Sequence, residues 1–111
     1  MNLKVSQISE GNKHYLEVSG ELDAFTAKDL REKLMPLTEN NGNHIIVDLS
    51  DLEYMDSTGL GVFVGVLKAS KTNGAKLVLK NMTDRVRRLF EITGLDEIIT
   101  VQDDNVRGGA K

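Results

Sequence analysis

Residues 45 to 65 read Ile45-Ile46-Val47-Asp48-Leu49-Ser50-Asp51-Leu52-Glu53-Tyr54-Met55-Asp56-Ser57-Thr58-Gly59-Leu60-Gly61-Val62-Phe63-Val64-Gly65, and the fold turns on the change of periodicity inside them. The first five residues are nearly continuous apolar sequence of strand length, the pattern of a parallel strand covered on both faces. From Ser57 to Thr72 the period changes: Leu60, Phe63, Val64 and Leu67 recur at helical spacing, so a helix opened by a serine cap follows the strand and its loop. A second apolar strand lies at Ala75 to Lys80, around Leu77-Val78-Leu79. Strand, helix and strand in succession make a parallel α/β unit and place residues 45 to 49 centrally in the sheet.

On the N-terminal side, residues 3 to 20 predict a hairpin about Glu10-Gly11-Asn12, because Leu16 and Val18 alternate with Tyr15, Glu17 and Ser19. Leu3 and Val5 share a parity that Ile8 breaks, which predicts a bulge near Ser6-Gln7. Thr26-Ala27-Lys28-Asp29 has capping-box spacing. Ala27, Leu30, Leu34 and Leu37 form one apolar stripe, so a first helix is expected over residues 25 to 38, kinked or ended at Pro36. On the C-terminal side, Thr83 to Thr93 predicts a third helix with Val86, Leu89 and Phe90 inward and Gly94 as its left-handed stop. Ile98 to Val101 reads as a final short strand, and residues 103–111 as a flexible tail after a domain spanning 1–102. The order β-β-α-β-α-β-α-β predicts a single α/β domain: a mixed sheet with an opening hairpin and helices mainly on one face. Its expected core is Ile46, Val47, Leu49, Leu60, Phe63, Val64, Leu67, Leu77, Leu79, Leu89 and Phe90.

Composition narrows the function. A chain of 111 residues has the length of one domain, and 40% hydrophobic with 28% charged residues is globular composition. Fourteen basic against seventeen acidic residues leave a net charge of −3, which argues against nucleic acid or an anionic membrane as the main partner. No apolar run reaches the roughly 18 residues of a membrane span, and Met1-Asn2-Leu3-Lys4 does not open a signal peptide, so a cytoplasmic protein is expected. The absence of cysteine removes disulfides, thiolate metal sites and cysteine nucleophiles.

Three glycines inside a helix need a reason, since each costs roughly 1 kcal/mol relative to alanine. Gly59, Gly61 and Gly65 admit two readings: close packing of helix on sheet, with Ser57 a plain cap, or a small-residue surface that another protein approaches, with Ser57 open to modification. Ser57 lacks the glycine two residues before it that a hydrolase nucleophile elbow requires, and the two histidines, His14 and His44, fall in or just before predicted strands. Asp23, Asp48, Asp51 and Asp56 lie at or near strand ends, where a receiver-like module would hold a cation or ligand. Receivers, however, open with an adjacent acidic pair and no hairpin. Gly59-Leu60-Gly61 sits within a helix, not before one, and no Gly-Lys-Ser or Gly-Lys-Thr occurs, so there is no phosphate cradle. Arg85, Arg87 and Arg88 read as a solvated basic face.

Gly20-Glu21-Leu22-Asp23, Asp56-Ser57-Thr58-Gly59-Leu60-Gly61 and Arg88-Leu89-Phe90-Glu91-Ile92-Thr93-Gly94-Leu95 together resemble the STAS domain, specifically stand-alone anti-sigma factor antagonists, across about residues 2 to 102. Val62-Phe63-Val64-Gly65 tilts the resemblance toward the general stress-response type. The resemblance implies a regulatory protein, not an enzyme, and no cofactor or metal. Its unmodified form would bind an anti-sigma factor that is also a serine kinase, releasing a sigma factor; phosphorylation would switch it off, and a metal-dependent serine phosphatase would restore it. By the same resemblance the phosphorylated serine falls on Ser57, the docking acid before helix one on Asp23, and the surrounding contact surface on Asp56, Thr58, Gly59 and Gly61. Scaffold-type relatives carry two phosphorylation sites on separated loops; here Thr58 merely flanks Ser57. A scaffold-type, ligand-binding or receiver-like module using the strand-end aspartates remains the alternative.

Overall fold

In the computed structural model, which describes residues 2–102, β1 (Leu3–Glu10) and β2 (Lys13–Leu22) form the expected antiparallel hairpin. The chain continues through α1 (Ala27–Leu34), a 3-10 segment (Met35–Glu39), β3 (His44–Met55), α2 (Ser57–Asn73), β4 (Lys76–Lys80), α3 (Asp84–Thr93), a 3-10 turn (Leu95–Glu97) and β5 (Thr100–Gln102). The five strands lie in sequence order, antiparallel between β1 and β2 and parallel from β2 to β5, so the mixed α/β sheet with an opening hairpin stands. The tail assigned to residues 103–111 lies outside the described residues.

The helices share one face of this sheet. Leu30, Leu34, Val62, Phe63, Val66, Val86 and Phe90 from the helices join Leu16, Val18, Ile45, Val47, Leu49, Leu77 and Leu79 from the strands in one core cluster. Phe63 and Phe90 meet as a tilted aromatic pair with ring centroids 6.1 Å apart, tying α2 to α3. Pro36 acts as expected: α1 ends at Leu34 and the chain tightens into the 3-10 segment with proline in its first turn. Gly94 closes α3 in the left-handed conformation at φ 77°.

Several expectations need correcting, most of them for one reason: among the described residues the second face of the sheet carries no helix. β3 alternates instead of being covered on both sides, with Ile45, Val47 and Leu49 buried and Ile46 half-buried. Ile8 does not break parity through a bulge. The β1–β2 register runs unshifted from Leu3↔Gly20 to Glu10↔Lys13, and Ile8 sits on the open face in a row with Tyr15, Ile46 and Val78. The irregularities fall between β2 and β3 instead, at Glu17/Ser19 and Gly20/Glu21. There β3 continues through residues 51 to 55, in place of the expected loop, pairing Leu52 with Gly20 and Met55 with Leu22. On α2 the stripe is Leu60, Val62, Phe63, Val66 and Leu67, leaving Val64 half-buried, and Leu89 on α3 is half-buried as well. The last strand starts two residues later than expected, at Thr100, because the 3-10 turn occupies the approach and leaves Ile98 exposed while Ile99 is buried.

Phe63 is fully buried at the meeting point of α2, α3 and the sheet. Phe63→Ala should therefore cost about 3 to 5 kcal/mol through lost transfer energy and a residual cavity, read as a lower denaturation midpoint with an unchanged urea slope.

Candidate functional site

The functional end of the molecule is where β2 and β3 deliver the chain to α1 and α2. Two turns meet there. After β3, Asp56 takes an extended conformation and its Oδ1 accepts a hydrogen bond from Gly59 N–H at 3.0 Å, while its carbonyl accepts from Leu60 N–H at 2.9 Å. Asp56 is thus the cap of α2, and the expected serine cap is corrected: Ser57 is the first helical residue. Aspartate wins because, at the position before the helix, its carboxylate reaches the third-turn-residue amide and puts negative charge against the positive end of the helix dipole. The consequence for Ser57 is freedom. Its side chain and that of Thr58 are exposed, and Ser57 Oγ has no hydrogen-bond partner among the described residues.

After β2, Asp23 organises the second turn. Its Oδ1 accepts from Phe25 N–H (2.9 Å) and Thr26 N–H (3.1 Å), and its backbone N–H donates to Thr26 Oγ1 (2.9 Å), whose hydroxyl donates to the Glu21 carbonyl (2.9 Å). Thr26 is committed to this network and makes no side-chain cap on α1, so the capping box read from Thr26 to Asp29 does not form. Asp23 is only 8% exposed, which makes it a builder of the turn. The ring of Phe25, by contrast, is 85% exposed at the turn's tip. Neither Asp56 as cap nor Phe25 was picked out from the sequence. The aspartate before the first apolar-periodic residue was the available signal for the cap; exposure of a lone aromatic had none.

The two turns are held together. Asp56 N–H donates to the Leu22 carbonyl at 3.3 Å, and a Cβ on Gly59 would stand 2.7 Å from Leu22 Cγ and 2.9 Å from Leu22 O. Gly59 is therefore the packing glycine. Gly61 is exposed and a Cβ there would meet nothing within 4 Å, while one on Gly65 would touch only Met35 Cε at 3.4 Å. The structure so divides the glycines between both readings, Gly59 for close approach and Gly61 as bare surface.

The other candidates are not brought together. Asp48 Oδ1 accepts from Ser50 N–H and its Oδ2 from Asn81 Nδ2 at 3.1 Å, so this carboxylate fastens β3 to the turn after β4. Asp51 lines an open cleft of about 470 Å³ with Ser19, Ser50, Glu53 and Thr83. Among the described residues no three acidic or histidine side chains group as a metal site would require. His14 and His44 stand at the start of β2 and β3, His14 Nδ1 within 2.7 Å of Ser9 Oγ, whereas Ser57 follows the end of the 12-residue β3. At roughly 3.3 Å per residue a strand that long separates them by about 35 Å, which rules out a serine–histidine pair. No helix among the described residues is long and apolar enough to cross a membrane.

An α/β domain with this sheet order and these paired turns is matched by the STAS domain model over residues 6–106, and the chain belongs to that family. It is 46% identical over 101 residues to the anti-sigma-B factor antagonist of Bacillus subtilis strain 168, covering 91% of this chain and 92% of the relative. To the protein of the same name from Staphylococcus aureus strain NCTC 8325 it is 42% identical over 103 residues, 93% of this chain and 95% of the relative. The Bacillus anti-sigma factor antagonist SpoIIAA shares the fold. Its unphosphorylated form superposes with a TM-score of 0.74 at 22% identity over 99% of this chain and all of that one. Its phosphorylated form superposes with a TM-score of 0.69 at 19% identity over 94% of each.

The glycine assignments should separate in stability measurements. Gly61→Ala should raise stability by about 0.5 to 1 kcal/mol through helix propensity, and Gly59→Ala should lower it by about 1 to 3 kcal/mol because Leu22 must move. Chemical denaturation of both variants checks the pair; equal effects would show that α2 does not sit against Leu22.

Proposed function

We propose that this protein is an anti-sigma factor antagonist whose unmodified form docks on a cognate anti-sigma factor through the first turn of α2 and the β2–α1 turn, releasing the sigma factor for transcription. The anti-sigma factor is also a serine kinase: it transfers the γ-phosphoryl group of ATP to Ser57 Oγ, the hydroxyl proton leaves, and ADP is released. The phosphorylated protein then loses its hold, and a metal-dependent serine phosphatase returns it to the binding form. The cycle runs in the cytoplasm. Ser57, Thr58 and Gly61 supply contact surface, while Asp23, Asp56 and Gly59 hold that surface in shape.

The observation that carries this reading is the exposed, unbonded hydroxyl of Ser57 on a helix whose capping duty belongs to Asp56. A serine that is not needed to start its helix can be modified without dismantling the helix. The relatives named as anti-sigma-B factor antagonists support the partner class, and SpoIIAA, known in phosphorylated and unphosphorylated forms, supports a phosphate switch on this fold.

A phosphoserine adds roughly −1.5 to −2 charges and three strong acceptors. At the start of α2 the helix dipole and the unused first-turn amides favour that charge by about 0.3 to 1 kcal/mol, and the neighbouring Asp56 carboxylate opposes it. Both groups stay hydrated while the surface is free, so the fold has no reason to change. Under a partner the phosphate must shed its water, and the penalty rises to several kcal/mol; since each 1.4 kcal/mol is tenfold, about 3 kcal/mol weakens binding by two orders of magnitude.

Ser57→Ala should bind the anti-sigma factor like wild type, take up no phosphate from kinase and ATP, and change stability by less than about 0.5 kcal/mol because the cap is left intact. Mass spectrometry after incubation decides the point: stoichiometric phosphate on the Ser57→Ala protein would remove Ser57 from the role. In the phosphorylated wild type, amide NMR shifts should concentrate at residues 54 to 62 and the Asp23 turn. Shifts spreading to β1 and α3 would replace this local mechanism with a conformational one.

A further inference from the structure

Among the described residues six large hydrophobic side chains are exposed: Ile8, Tyr15, Phe25, Tyr54, Ile92 and Ile98. Phe25 is the most exposed of them, and its surroundings set it apart. Ile8 and Tyr15 lie side by side in the row that crosses the open face of the sheet. Phe25 stands at the tip of a short turn whose backbone is pinned on both sides of it, by its own N–H and that of Thr26 to Asp23 Oδ1 and by Thr26 Oγ1 to the Glu21 carbonyl. That turn is joined to the Ser57-bearing turn through Leu22, by the Asp56 hydrogen bond and the Gly59 contact.

A phenyl ring held in water costs free energy that only burial returns, and a ring on a rigid turn loses little entropy when it is buried. Both conditions describe an interface hot spot: an aromatic anchor on a preorganised loop, ringed by polar groups. The exposed polar groups near it in sequence carry both signs, Lys28 and Asp29 in the first turn of α1, while Asp23 is buried within the turn. An apolar socket is the complementary surface.

We infer that Phe25 is the apolar anchor by which this protein docks on its anti-sigma factor, inserting into an apolar socket on that partner and bringing Ser57 to the kinase centre. The inference rests on the anti-sigma antagonist reading above. It assigns the two turns different tasks: Phe25 supplies the hold, and Ser57 carries the signal that breaks it.

The test uses the protein and its purified cognate anti-sigma factor, with Phe25→Ala, Phe25→Leu and, as another exposed apolar residue toward the far end of the sheet, Ile8→Ala as control. Phe25→Ala should weaken binding about 30-fold or more, chiefly through faster dissociation, with an unchanged melting temperature. Phe25→Leu should recover most of the loss and Ile8→Ala should match wild type. In the kinase assay Phe25→Ala should raise KM for the antagonist and leave kcat near wild type. A Phe25→Ala protein that binds like wild type, a Phe25→Leu protein no better than Phe25→Ala, or an equal loss in Ile8→Ala would overturn the anchor and leave the parent reading standing. Failure of wild type itself to bind any anti-sigma factor would overturn the parent reading, and the anchor with it.

Discussion

The approach of α2 to the end of β2 is the contact on which the functional end depends. It exists because position 59 has no side chain: a single methyl would stand within 3 Å of both the backbone and the side chain of Leu22. With that methyl absent, the Leu22 carbonyl reaches Asp56 N–H, and the turns that follow β2 and β3 become one rigid piece. Asp56 and Asp23 then perform the same operation on adjacent turns, each carboxylate accepting from backbone N–H groups two or three residues further on. The cost of a glycine in a helix, about 1 kcal/mol, is offset by the packing it permits.

The one-sided layering explains why this end is available at all. With every helix of the described residues on one face, the sheet buries Leu16, Val18, Ile45, Val47, Leu49, Leu77 and Leu79 against them and leaves its other face half-wet. Parallel pairing from β2 onward gathers the chain's exits from β2 and β3 at a single edge, while the hairpin and both histidines stand toward the opposite one. The two exits converge on Leu22 because β3 runs on to Met55 in pairing with β2, absorbing the register shifts after Glu17 and Gly20. A shorter β3 would leave Asp56 without its hydrogen bond to Leu22.

Period and punctuation carried most of this fold. The helical stripe of Ala27, Leu30 and Leu34, the stop at Pro36 and the left-handed Gly94 are local facts, and local chemistry decides them. The misses share a different character. Ile46 and Ile8 have strand chemistry that suits either face, and only the absence of a covering layer decides that they face outward. Residues 51 to 55 look like a loop because acids interrupt them, yet pairing with residues 19 to 22 of β2 makes them strand. At the site, the serine and aspartate side by side at positions 57 and 56 are both good caps, and backbone geometry assigns the task to Asp56. Thr26 likewise has capping chemistry but is drawn away by Asp23 and Glu21. What sequence could not supply was therefore the choice between chemically equivalent partners.

That choice matters for switching. Were Ser57 the cap, its hydroxyl would be occupied by a helix amide, and any modification would have to break that bond and disturb the first turn. With Asp56 as cap, the hydroxyl is spare, and the carboxylate already beside it makes the surface sensitive to further negative charge. The rigidity of the joined turns works in the same direction. A flexible loop would relax away from an added phosphate and share the strain with its neighbours. A turn locked by Asp23, Asp56 and Leu22 holds its shape, so the free energy of modification stays at the contact surface. On the proposed reading, the stiffness that lets unmodified turns bind without an ordering cost is the same stiffness that leaves a phosphorylated one no way to accommodate its partner.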